Sequence, residues 1–347
     1  MNNQPAPSVS IVVVNFNTRE LTRACLDSIL KETTSLDYEV ILVDNDSTDG
    51  STAALAAHPA VSRMIALTEN IGFARANNLA AGHARGRYLL LLNPDTVVLD
   101  RAIERLVTFA GCCPDAHIWG GRTLFADRTL NPSSCWGRMT LWNQACRATG
   151  LTSIFAGTEL FNGESYGGWK RDEARSVDIV SGCFFLIERA MWNQLGGFDP
   201  RYFMYGEEAD LCLRARRLGA KPMITPDATI IHLGGASETA RTNKMVKLLA
   251  AKATLIDRHF PRGTRLLGHG LLRAWPLTRW IALGALAALP LTAPADSNRH
   301  HTSAATWREM WRRRAEWAYG YRATPAPEQS KTSPAALPNG PFASLPG

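Results

Sequence analysis

The stretch "YLLLLNPDTVV" (residues 88–98) begins as an apolar run and ends in polar residues. A tyrosine followed by four leucines is typical of a strand that is buried on both faces of a sheet. The run stops at Asn93-Pro94-Asp95, and all three residue types are common strand terminators. Asp95 is therefore either a turn residue or a carboxylate held at the end of a strand for a chemical purpose.

Similar units precede this stretch. "SVSIVVVN" (8–15) and "YEVILVDN" (38–45) are predicted strands, while "TRELTRACLDSILKET" (18–33, with Thr18 as N-cap) and "GFARANNLAAGHARG" (72–86) are predicted helices. Apolar strands separated by helices predict an α/β fold with a mostly parallel sheet that has helices on both faces. Such sheets bind ligands at the carboxyl ends of their strands.

Polar residues occupy that edge after three of the predicted strands. They are Asn15 and Asn17 after the first, Asp44, Asn45 and Asp46 after the second, and Asn93 and Asp95 after the leucine run. The carboxyl ends of parallel strands meet at one edge of the sheet, so this repetition predicts a binding site there.

The second half of the chain is less regular. Residues 111–176 show little periodicity and predict long loops with an antiparallel extension. Strand and helix signals return at residue 177, and the helix "EEADLCLRARRLG" (207–219) ends at a glycine suited to a C-cap. Two short strands then lead to His232, and a basic amphipathic helix ends before Pro261.

Charge is unevenly distributed along the chain. The net charge is +7, with −4 on residues 1–239 and +11 on residues 240–347. The tail therefore favours a polyanionic partner, either nucleic acid or anionic lipid. Nucleic acid is disfavoured because no recognisable binding motif is present and the acidic body would repel it.

Cysteine usage and hydropathy indicate the compartment. The seven cysteines are odd in number and scattered, without a Cys-x-x-Cys pair, which predicts reduced thiols rather than disulfides or a zinc site. "MNNQPAPS" has no signal-peptide features. The longest apolar run, "WIALGALAALPL" (280–291), is shorter than the roughly 20 residues of a spanning helix. We therefore expect a cytoplasmic protein.

Six motifs occur in order between residues 8 and 260. They are "SIVVVNFN", "VDNDSTDGS", "NIGFARANN", "LLLNPDT", the segment from "SGCFFLIERA" to "LGGFDPRYFMYGEEADLCLRARRLG", and "HLGGAS". Together they resemble the family 2 glycosyltransferases of the GT-A fold, and most closely the bacterial rhamnosyltransferase-like branch. The resemblance implies an inverting transferase that moves a sugar, preferably L-rhamnose from dTDP-rhamnose, from a nucleotide-diphosphate donor to a cell-surface glycan or a polyprenyl-linked acceptor.

Other functions remain open at this point. A UDP-hexose donor and a non-catalytic scaffold that binds nucleotide-sugars are both compatible with the motifs. A nucleotidyltransferase is disfavoured, because no Gly-rich loop with Arg and Lys follows the first strand to hold a triphosphate.

The resemblance implies a divalent metal, Mg²⁺ or Mn²⁺, that neutralises the donor diphosphate. Asp95 resembles the last aspartate of the family's Asp-x-Asp metal site, and Asn93, which replaces the first, is a candidate contact to the nucleotide. His232 resembles the histidine that completes the metal shell. With a single carboxylate, metal binding without nucleotide should be weak.

The resemblance also implies a nucleotide site. Asp44 would bind the base, with Asn15 and Asn17 beside it and Asn45 and Ser47 near the ribose. An Asx-turn is the structural alternative for this loop. The start of the helix after residue 70 would lie near the donor phosphates through Gly72, Arg75 and Asn78.

The family places Glu-Asp at a helix start, with the aspartate as general base. Here the pair is Glu207-Glu208, so Glu208 is the first candidate base and Glu207 the second. The alternative is that these acids only complement the helix dipole. Asp210 is expected to pair with Arg214, one turn further along.

Acceptor contacts and domain limits complete the expectations. Asp199, after a Gly-Gly turn, and Trp169 are candidate acceptor contacts. The predicted divisions are 1–260 for the transferase domain (8–110 nucleotide-sugar half, 111–260 acceptor half), 261–321 for a basic, Trp-rich helical extension, and 322–347 for a disordered tail.

The extension carries Trp307, Trp311 and Trp317 near one helical side, together with several arginines. A basic helix with tryptophans is suited to an anionic membrane surface, which predicts peripheral association with the inner face of the cell membrane. The alternative is that the tryptophan face packs on the main domain.

Overall fold

The leucine run forms the fourth strand of a mixed sheet in the computed structural model, which describes residues 6–234, 241–288 and 294–321. The strands are β1 Val9–Asn15, β2 Tyr38–Asp44, β3 Arg63–Ala66, β4 Tyr88–Leu92, β5 Thr96–Val98, β6 Ile118–Leu124, β7 Leu130–Asn131, β8 Cys135–Trp136, β9 Arg175–Ser176, β10 Ile179–Val180, β11 Phe184–Glu188 and β12 Met223–His232.

The helices alternate with the early strands and dominate the end of the chain. They are α1 Arg19–Glu32, α2 Ser51–Ala56, α3 Phe73–Ala81, α4 Ala102–Cys112, α5 Leu141–Thr149, α6 Leu151–Ile154, α7 Arg189–Leu195, α8 Glu207–Arg217, α9 Arg241–His259, α10 Arg265–Ala287, α11 Pro294–Arg312 and α12 Arg314–Trp317.

The main sheet has the strand order β3-β2-β1-β4-β11-β6-β12-β5. The first four strands are parallel, and β11 continues the sheet antiparallel to β4. The predicted α/β fold, with a mostly parallel sheet and helices on both faces, is therefore confirmed. The prediction of two short strands before His232 was wrong, because one strand, β12, spans both, with a register shift between Thr225 and Thr229.

The core forms on both faces of the sheet. All seven residues of β1 and all five of β4 are buried, as their continuous apolar sequences predict. One face packs on α3 and α8, and the other packs on α1 and α4. Each large aliphatic side chain buried in this way contributes about 1.5–3 kcal/mol, so the strand ends are held on a rigid support.

The C-terminal helices pack on one another and on α5. Trp317 is fully buried in an apolar cluster with α9 and α10, and the rings of Trp275 and Trp307 lie 5.4 Å apart. This packing agrees with the alternative in which the tryptophans contact the protein. None of the helices in the described ranges has the length and hydropathy needed to cross a membrane. The boundary near residue 260 stays a prediction, and residues 322–347 lie outside the described residues.

Candidate active site

The ends of three strands are aligned along one edge of the sheet. Asn15 lies opposite Asp44 on the neighbouring strand β2, and Leu92 at the end of β4 lies opposite Val13. Asp44 and Asn93 are thus separated by two strand spacings, roughly 10 Å. This is a suitable span for one ligand that contacts both positions.

The turn after β4 brings a distant histidine to this edge. The chain reverses at Asn93-Pro94-Asp95 into β5, where Thr96 pairs with His232 of β12. Nε2 of His232 consequently lies 3.4 Å from Oδ1 of Asp95 and 3.4 Å from Nδ2 of Asn93. The structure therefore brings together Asp95 and His232, the two residues predicted for the metal, and Asn93, which was predicted for the nucleotide.

These residues fit a metal that is shared with a ligand. The side chains of Asp95 and His232 are only 10% and 15% exposed, and Nδ1 of His232 has no partner among the described residues. Without a cation, burial lowers the pKa of His232 but Cys183 and Asp95 raise it overall to about 10, so a metal bound here would have to displace the proton of the imidazole. The described ranges contain no cluster of three or more His, Cys, Asp or Glu that could hold a metal. One carboxylate and one imidazole suit a cation that takes its other ligands from a diphosphate and water.

Asn15 orients the carboxylate of Asp44. Its Nδ2 donates to Oδ1 of Asp44 at 2.6 Å and to Oγ of Ser47 at 2.9 Å, and its Oδ1 accepts from two threonine hydroxyls, those of Thr18 and Thr22. Asn15 is completely buried and its hydrogen-bonding groups are all engaged. It therefore holds the carboxylate of Asp44 and the loop in place, and its contact with the nucleotide stays a prediction.

Asn17 connects the loops that follow β1 and β2. Its backbone N–H donates to Oγ of Ser47 at 2.9 Å, and its Oδ1 accepts from the backbone N–H of Thr48 at 2.7 Å. Its φ of +53° lies in the left-handed region, which asparagine tolerates better than most residues. The turn-forming interactions of the structural alternative are thus present in this loop, and contact of Asn17 with the nucleotide stays a prediction.

Gly72 is required by a close approach between two loops. Its φ is +84°, and a Cβ there would lie 2.6 Å from the carbonyl oxygen of Phe203. That carbonyl accepts from the N–H of Phe73 at 2.8 Å. Asn45 supports the same segment, because its carboxamide bonds Asn70 and the N–H of Ile71, each at 3.0 Å. Sequence reasoning missed Asn70, whose signal was its position two residues before Gly72 at a helix start, and its Oδ1 accepts from the N–H of Gly72 at 3.0 Å.

Arg75 and Asn78 join α3 to the loop after α7. Asn78 donates to the carbonyl of Phe198 at 2.8 Å and accepts from its N–H at 2.9 Å. Nε of Arg75 donates to the carbonyl of Pro200 at 3.3 Å. Both residues therefore position the loop, and their contact with donor phosphates stays a prediction.

Glu207 and Glu208 begin α8 after Gly206, whose φ is +89°. Oε2 of Glu208 accepts from the N–H of Gly206 at 3.1 Å, while Oε2 of Glu207 has no partner among the described residues. Burial and the charge of Glu208 raise the pKa of Glu207 well above its ordinary value, and burial raises the pKa of Glu208. A carboxyl group with a raised pKa is a suitable general base near neutral pH.

The loop before β11 lies between these carboxylates and the residues predicted to bind the metal. A side chain at Gly182 would contact Cβ of Glu208, and the next residue, Cys183, raises the pKa of His232. The N–H of Asn93 donates to the carbonyl of Cys183 at 3.1 Å. Sequence reasoning did not assign this loop a role, although the small residues of "SGC" indicate close packing.

Asp210 is the centre of a buried ion-pair network. It is completely buried and accepts from Arg214 at 2.7 Å, Arg258 at 2.8 Å and His259 at 2.8 Å. The predicted pair with Arg214 is confirmed. The two α9 residues were missed, because they lie 48 and 49 positions further along the chain. The network anchors α9 against the helix that carries Glu208.

The two acceptor candidates have separate surroundings. Asp199 pairs with Arg201 at 2.9 Å and with Arg258 at 3.0 Å, which connects it to the network around Asp210. Trp169 packs against the guanidinium groups of Arg171 and Arg175. Acceptor contacts at Asp199 and Trp169 stay predictions.

Comparisons with known proteins show which proteins this chain is similar to. The family model described as "Glycosyl transferase family 2" matches residues 10–192. O-antigen biosynthesis protein RfbC of Myxococcus xanthus is 30% identical over 243 residues, which are 67% of this chain but only 18% of that protein. N-acetylglucosaminyl-diphospho-decaprenol L-rhamnosyltransferase of Mycobacterium tuberculosis is 29% identical over 276 residues, which are 73% of this chain and 82% of that protein.

A solved structure shares the fold. The mannosyltransferase PcManGT from Pyrobaculum calidifontis, in complex with GDP-Man and Mn²⁺, superposes with a TM-score of 0.53 at 18% sequence identity. The match covers 91% of this chain and 86% of the other. At this identity the likeness shows the fold alone.

Proposed function

Since this chain belongs to glycosyl transferase family 2, we propose that it transfers a sugar from a nucleotide-diphosphate donor to a cell-surface glycan or lipid-linked acceptor. The preferred sugar is L-rhamnose, with dTDP-rhamnose as its donor, because one of the matching relatives is named as an L-rhamnosyltransferase. The observation that carries the proposal is the convergence of Asp95 and His232, 3.4 Å apart, on the sheet edge that also holds Asp44.

We assign the nucleotide to the loops along this edge. Asp44, held by Asn15, binds the base, and the segment from Asn45 to Ser47 lies near the ribose. Gly72 and the start of α3 lie between that loop and Phe203, and we assign the donor phosphates to this helix start.

Asp95 and His232 would hold Mg²⁺ or Mn²⁺, with Asn93 beside them. The bound cation supplies neutralisation of the charge on the departing nucleoside diphosphate. The complex of the mannosyltransferase PcManGT with Mn²⁺ supports the choice of a divalent cation. Because the chain itself offers one carboxylate and one imidazole here, affinity for the metal depends on bound nucleotide.

Glu208 is the proposed general base of an inverting displacement. It takes the proton of the acceptor hydroxyl as that oxygen attacks the anomeric carbon on the face opposite the departing diphosphate. Its position at the start of α8, next to the loop that reaches Cys183, places it between the donor edge and the C-terminal helices. The charge of Glu208 in turn adds to the effect of burial in raising the pKa of its neighbour Glu207.

The C-terminal helices are proposed to contact an anionic membrane surface. The +11 charge on residues 240–347 supports this, because each basic residue near an anionic surface adds about 1 kcal/mol of attraction. Association at the inner face of the cell membrane would place the enzyme beside a lipid-linked acceptor.

Calorimetric titration tests the donor site. We would titrate dTDP, UDP and GDP, each with and without Mg²⁺ or Mn²⁺, into the wild type, Asp95→Ala and the control Asp37→Ala. Asp37 precedes β2, at the end opposite Asp44. We expect metal-dependent binding of dTDP that is lost only in Asp95→Ala. Absence of nucleotide binding by the folded wild type would refute the proposal. Tighter binding of UDP than of dTDP would indicate a UDP-sugar donor in place of dTDP-rhamnose.

A further inference from the structure

The entry loop, residues 202–206, leads into α8 and ends in an unusual backbone conformation. Tyr205 and Gly206, the two residues before Glu207, have φ values of +71° and +89°. In a residue other than glycine this left-handed conformation costs free energy, and it persists only where surrounding contacts hold it. Because Glu208 follows within two residues, the contacts that hold this turn also determine where the proposed base points.

The entry loop is attached to two separate parts of the fold. The carbonyl of Phe203 accepts from the N–H of Phe73, at the start of α3, at 2.8 Å. The carbonyl of the next residue, Met204, accepts from the hydroxyl of Tyr321, which lies beyond α12. Two consecutive carbonyls are therefore fixed from opposite ends of the chain, and the left-handed turn begins one residue later.

The aromatic ring of Tyr321 strengthens this attachment. It lies nearly edge-on to the ring of Tyr202, with the centroids 5.8 Å apart, and Tyr202 is completely buried. An edge-to-face pair of this kind adds to the stabilisation that comes from burial of the rings. Oη of Tyr321 also lies 3.4 Å from the carbonyl oxygen of Lys247, so the hydroxyl contacts both α9 and the entry loop.

The backbone that carries Tyr321 is itself fixed on α9. The N–H of Tyr321 donates to Oγ1 of Thr254 at 2.8 Å, and Thr254 is buried. Gly320 permits this approach, because its φ is +71° and a Cβ there would lie 2.6 Å from the same oxygen. Trp317 of α12 is completely buried and donates to the carbonyl of Met310 at 3.0 Å. The hydroxyl therefore reaches the entry loop from a well-packed support.

The turn in the entry loop holds the carboxylate of Glu208. Oε2 of Glu208 accepts from the N–H of Gly206 at 3.1 Å, and a Cβ at Gly206 would lie 2.9 Å from Cβ of Ala251 on α9. Burial raises the pKa of Glu208, whereas the hydrogen bond from Gly206 lowers it. A shift of the turn would move this N–H, so the carboxylate would change both its direction and its affinity for a proton.

We propose that Tyr321 is a positioning residue for the general base, because its hydroxyl holds the carbonyl of Met204 and thereby the turn that orients Glu208. This inference rests on the proposed function, since it needs Glu208 to act as the base. It gives a role in catalysis to the end of the helical extension, beyond the family match at residues 10–192 and beyond residue 260, the predicted limit of the transferase domain.

Tyr321→Phe tests the hydroxyl, because it keeps the ring beside Tyr202. The control is Tyr319→Phe, two residues away, where the side chain is 71% exposed. We would measure release of dTDP from dTDP-rhamnose with Mn²⁺, using water as the acceptor. Loss of one positioning hydrogen bond should lower kcat about five- to tenfold in Tyr321→Phe and leave KM for dTDP-rhamnose unchanged. Equal kcat values in wild type and Tyr321→Phe would overturn the inference.

The pH profile separates positioning from a general loss of structure. The titratable and charged groups around Glu208 are the same in both proteins: Glu207 and Cys212 of α8, and Arg147, Glu164, Lys252 and His259 around the adjoining cavity. A weaker bond from Gly206 should raise the pKa of Glu208, so the acid limb of kcat should move to higher pH in Tyr321→Phe. A uniformly lower kcat with an unmoved limb would show a merely structural role and overturn the inference.

Hydrogen exchange tests the contact without turnover. Deuterium uptake by peptides covering residues 202–209 should be faster in Tyr321→Phe than in wild type, because the N–H of Gly206 would be released more often. Uptake across residues 88–98, at the donor edge, should be unchanged. Equal uptake by residues 202–209 in the two proteins would overturn the inference whatever the rates show.

A second pair of variants changes the support of Tyr321 from α9. Thr254→Val removes the oxygen that accepts from the N–H of Tyr321, whereas Thr254→Ser keeps it. Thr254→Val should therefore lower kcat and move the acid limb in the same direction as Tyr321→Phe, and Thr254→Ser should behave as wild type. Equal effects of the two substitutions would contradict the argument from this hydrogen bond.

Titration with dTDP and Mn²⁺ separates the possible failures. We expect Tyr321→Phe to bind dTDP as tightly as wild type, because Asp44, Asp95 and His232 are unchanged. Normal dTDP binding together with normal kcat in Tyr321→Phe would overturn this inference alone. Absence of dTDP binding by the wild type would overturn the proposed function.

Discussion

Asp210→Asn should destabilise the protein strongly, because it removes the only negative charge among the described residues that Arg214 and His259 contact in the buried network. Asp210 itself is completely buried. Breaking a buried ion pair from one side costs about 3–5 kcal/mol. Arg258 keeps its second partner, Asp199, at 3.0 Å in the variant, so we take the lower end, about 3 kcal/mol.

Urea denaturation at pH 7 measures this effect. With a slope of about 3 kcal/mol per molar urea, the midpoint should fall by about 1 M. The control is Asp257→Asn, since Asp257 on α9 also pairs with a histidine, His269, at 2.7 Å, but its side chain is 51% exposed. An exposed pair contributes about 0–1 kcal/mol. Equal shifts in the two variants would refute the argument from burial.

The pH dependence gives an independent check. Burial raises the pKa of Asp210, but the hydrogen bond from His259 and the charge of Arg214 lower it overall. A lowered native pKa stabilises the fold above the unfolded value of about 3.9, and the contribution is lost as pH falls through the native pKa. The difference in free energy of unfolding between wild type and Asp210→Asn should therefore become smaller below about pH 4. A constant difference down to pH 2 would show that charge is not its source.

Gly72→Ala should lower the free energy of unfolding, measured in heat or urea, by about 1–3 kcal/mol, because the new Cβ meets the carbonyl of Phe203 at 2.6 Å and φ is +84°. The control Gly270→Ala, in open space on α10, should be neutral or stabilising. Equal losses of stability in the two variants would contradict the steric argument. Glu208→Gln should lower the transfer rate by about 10²–10⁴-fold with dTDP affinity unchanged, whereas Glu207→Gln should lower it less; the reverse order in initial-rate measurements would reassign the base. Because the pKa of Glu208 is raised, the base is protonated and kcat is lost as pH falls through that value, so the acid limb of the pH–rate profile should lie above the 4.5 of an ordinary glutamate; a limb at or below 4.5 would exclude Glu208 as the base.

The parts of the fold that local sequence determines were predictable. β1, β2 and β4 are continuous apolar runs, and their burial follows directly from that pattern. The polar residues at their ends were predicted to meet, since parallel strands end at one edge. Periodicity also located α8, with Gly219 at a φ of +100° just past its end.

Features that depend on distant pairing were not predictable from the pattern. β12 was divided in two because Pro226 and Asp227, at its register shift, are residues typical of turns. The contacts of Asp210 with α9 and of Glu164 with Lys252 join residues 48 to 88 positions apart, and no local periodicity encodes them. The proximity of His232 to Asp95 came from the family resemblance, since the residues it bonds at this edge lie more than 130 positions earlier.

Because α9 is bound to Asp210 of α8, a chimaera of two relatives should exchange the segment from α8 to α9 as one piece. The family match ends at residue 192, whereas α8 begins at Glu207 and its buried anion is balanced in part by Arg258 and His259. A chimaera joined between α8 and α9 would pair an aspartate from one parent with the helix of another, and the mismatch would fall directly behind Glu208. Acceptor specificity should therefore be transferable only when residues 207 to 259 move together.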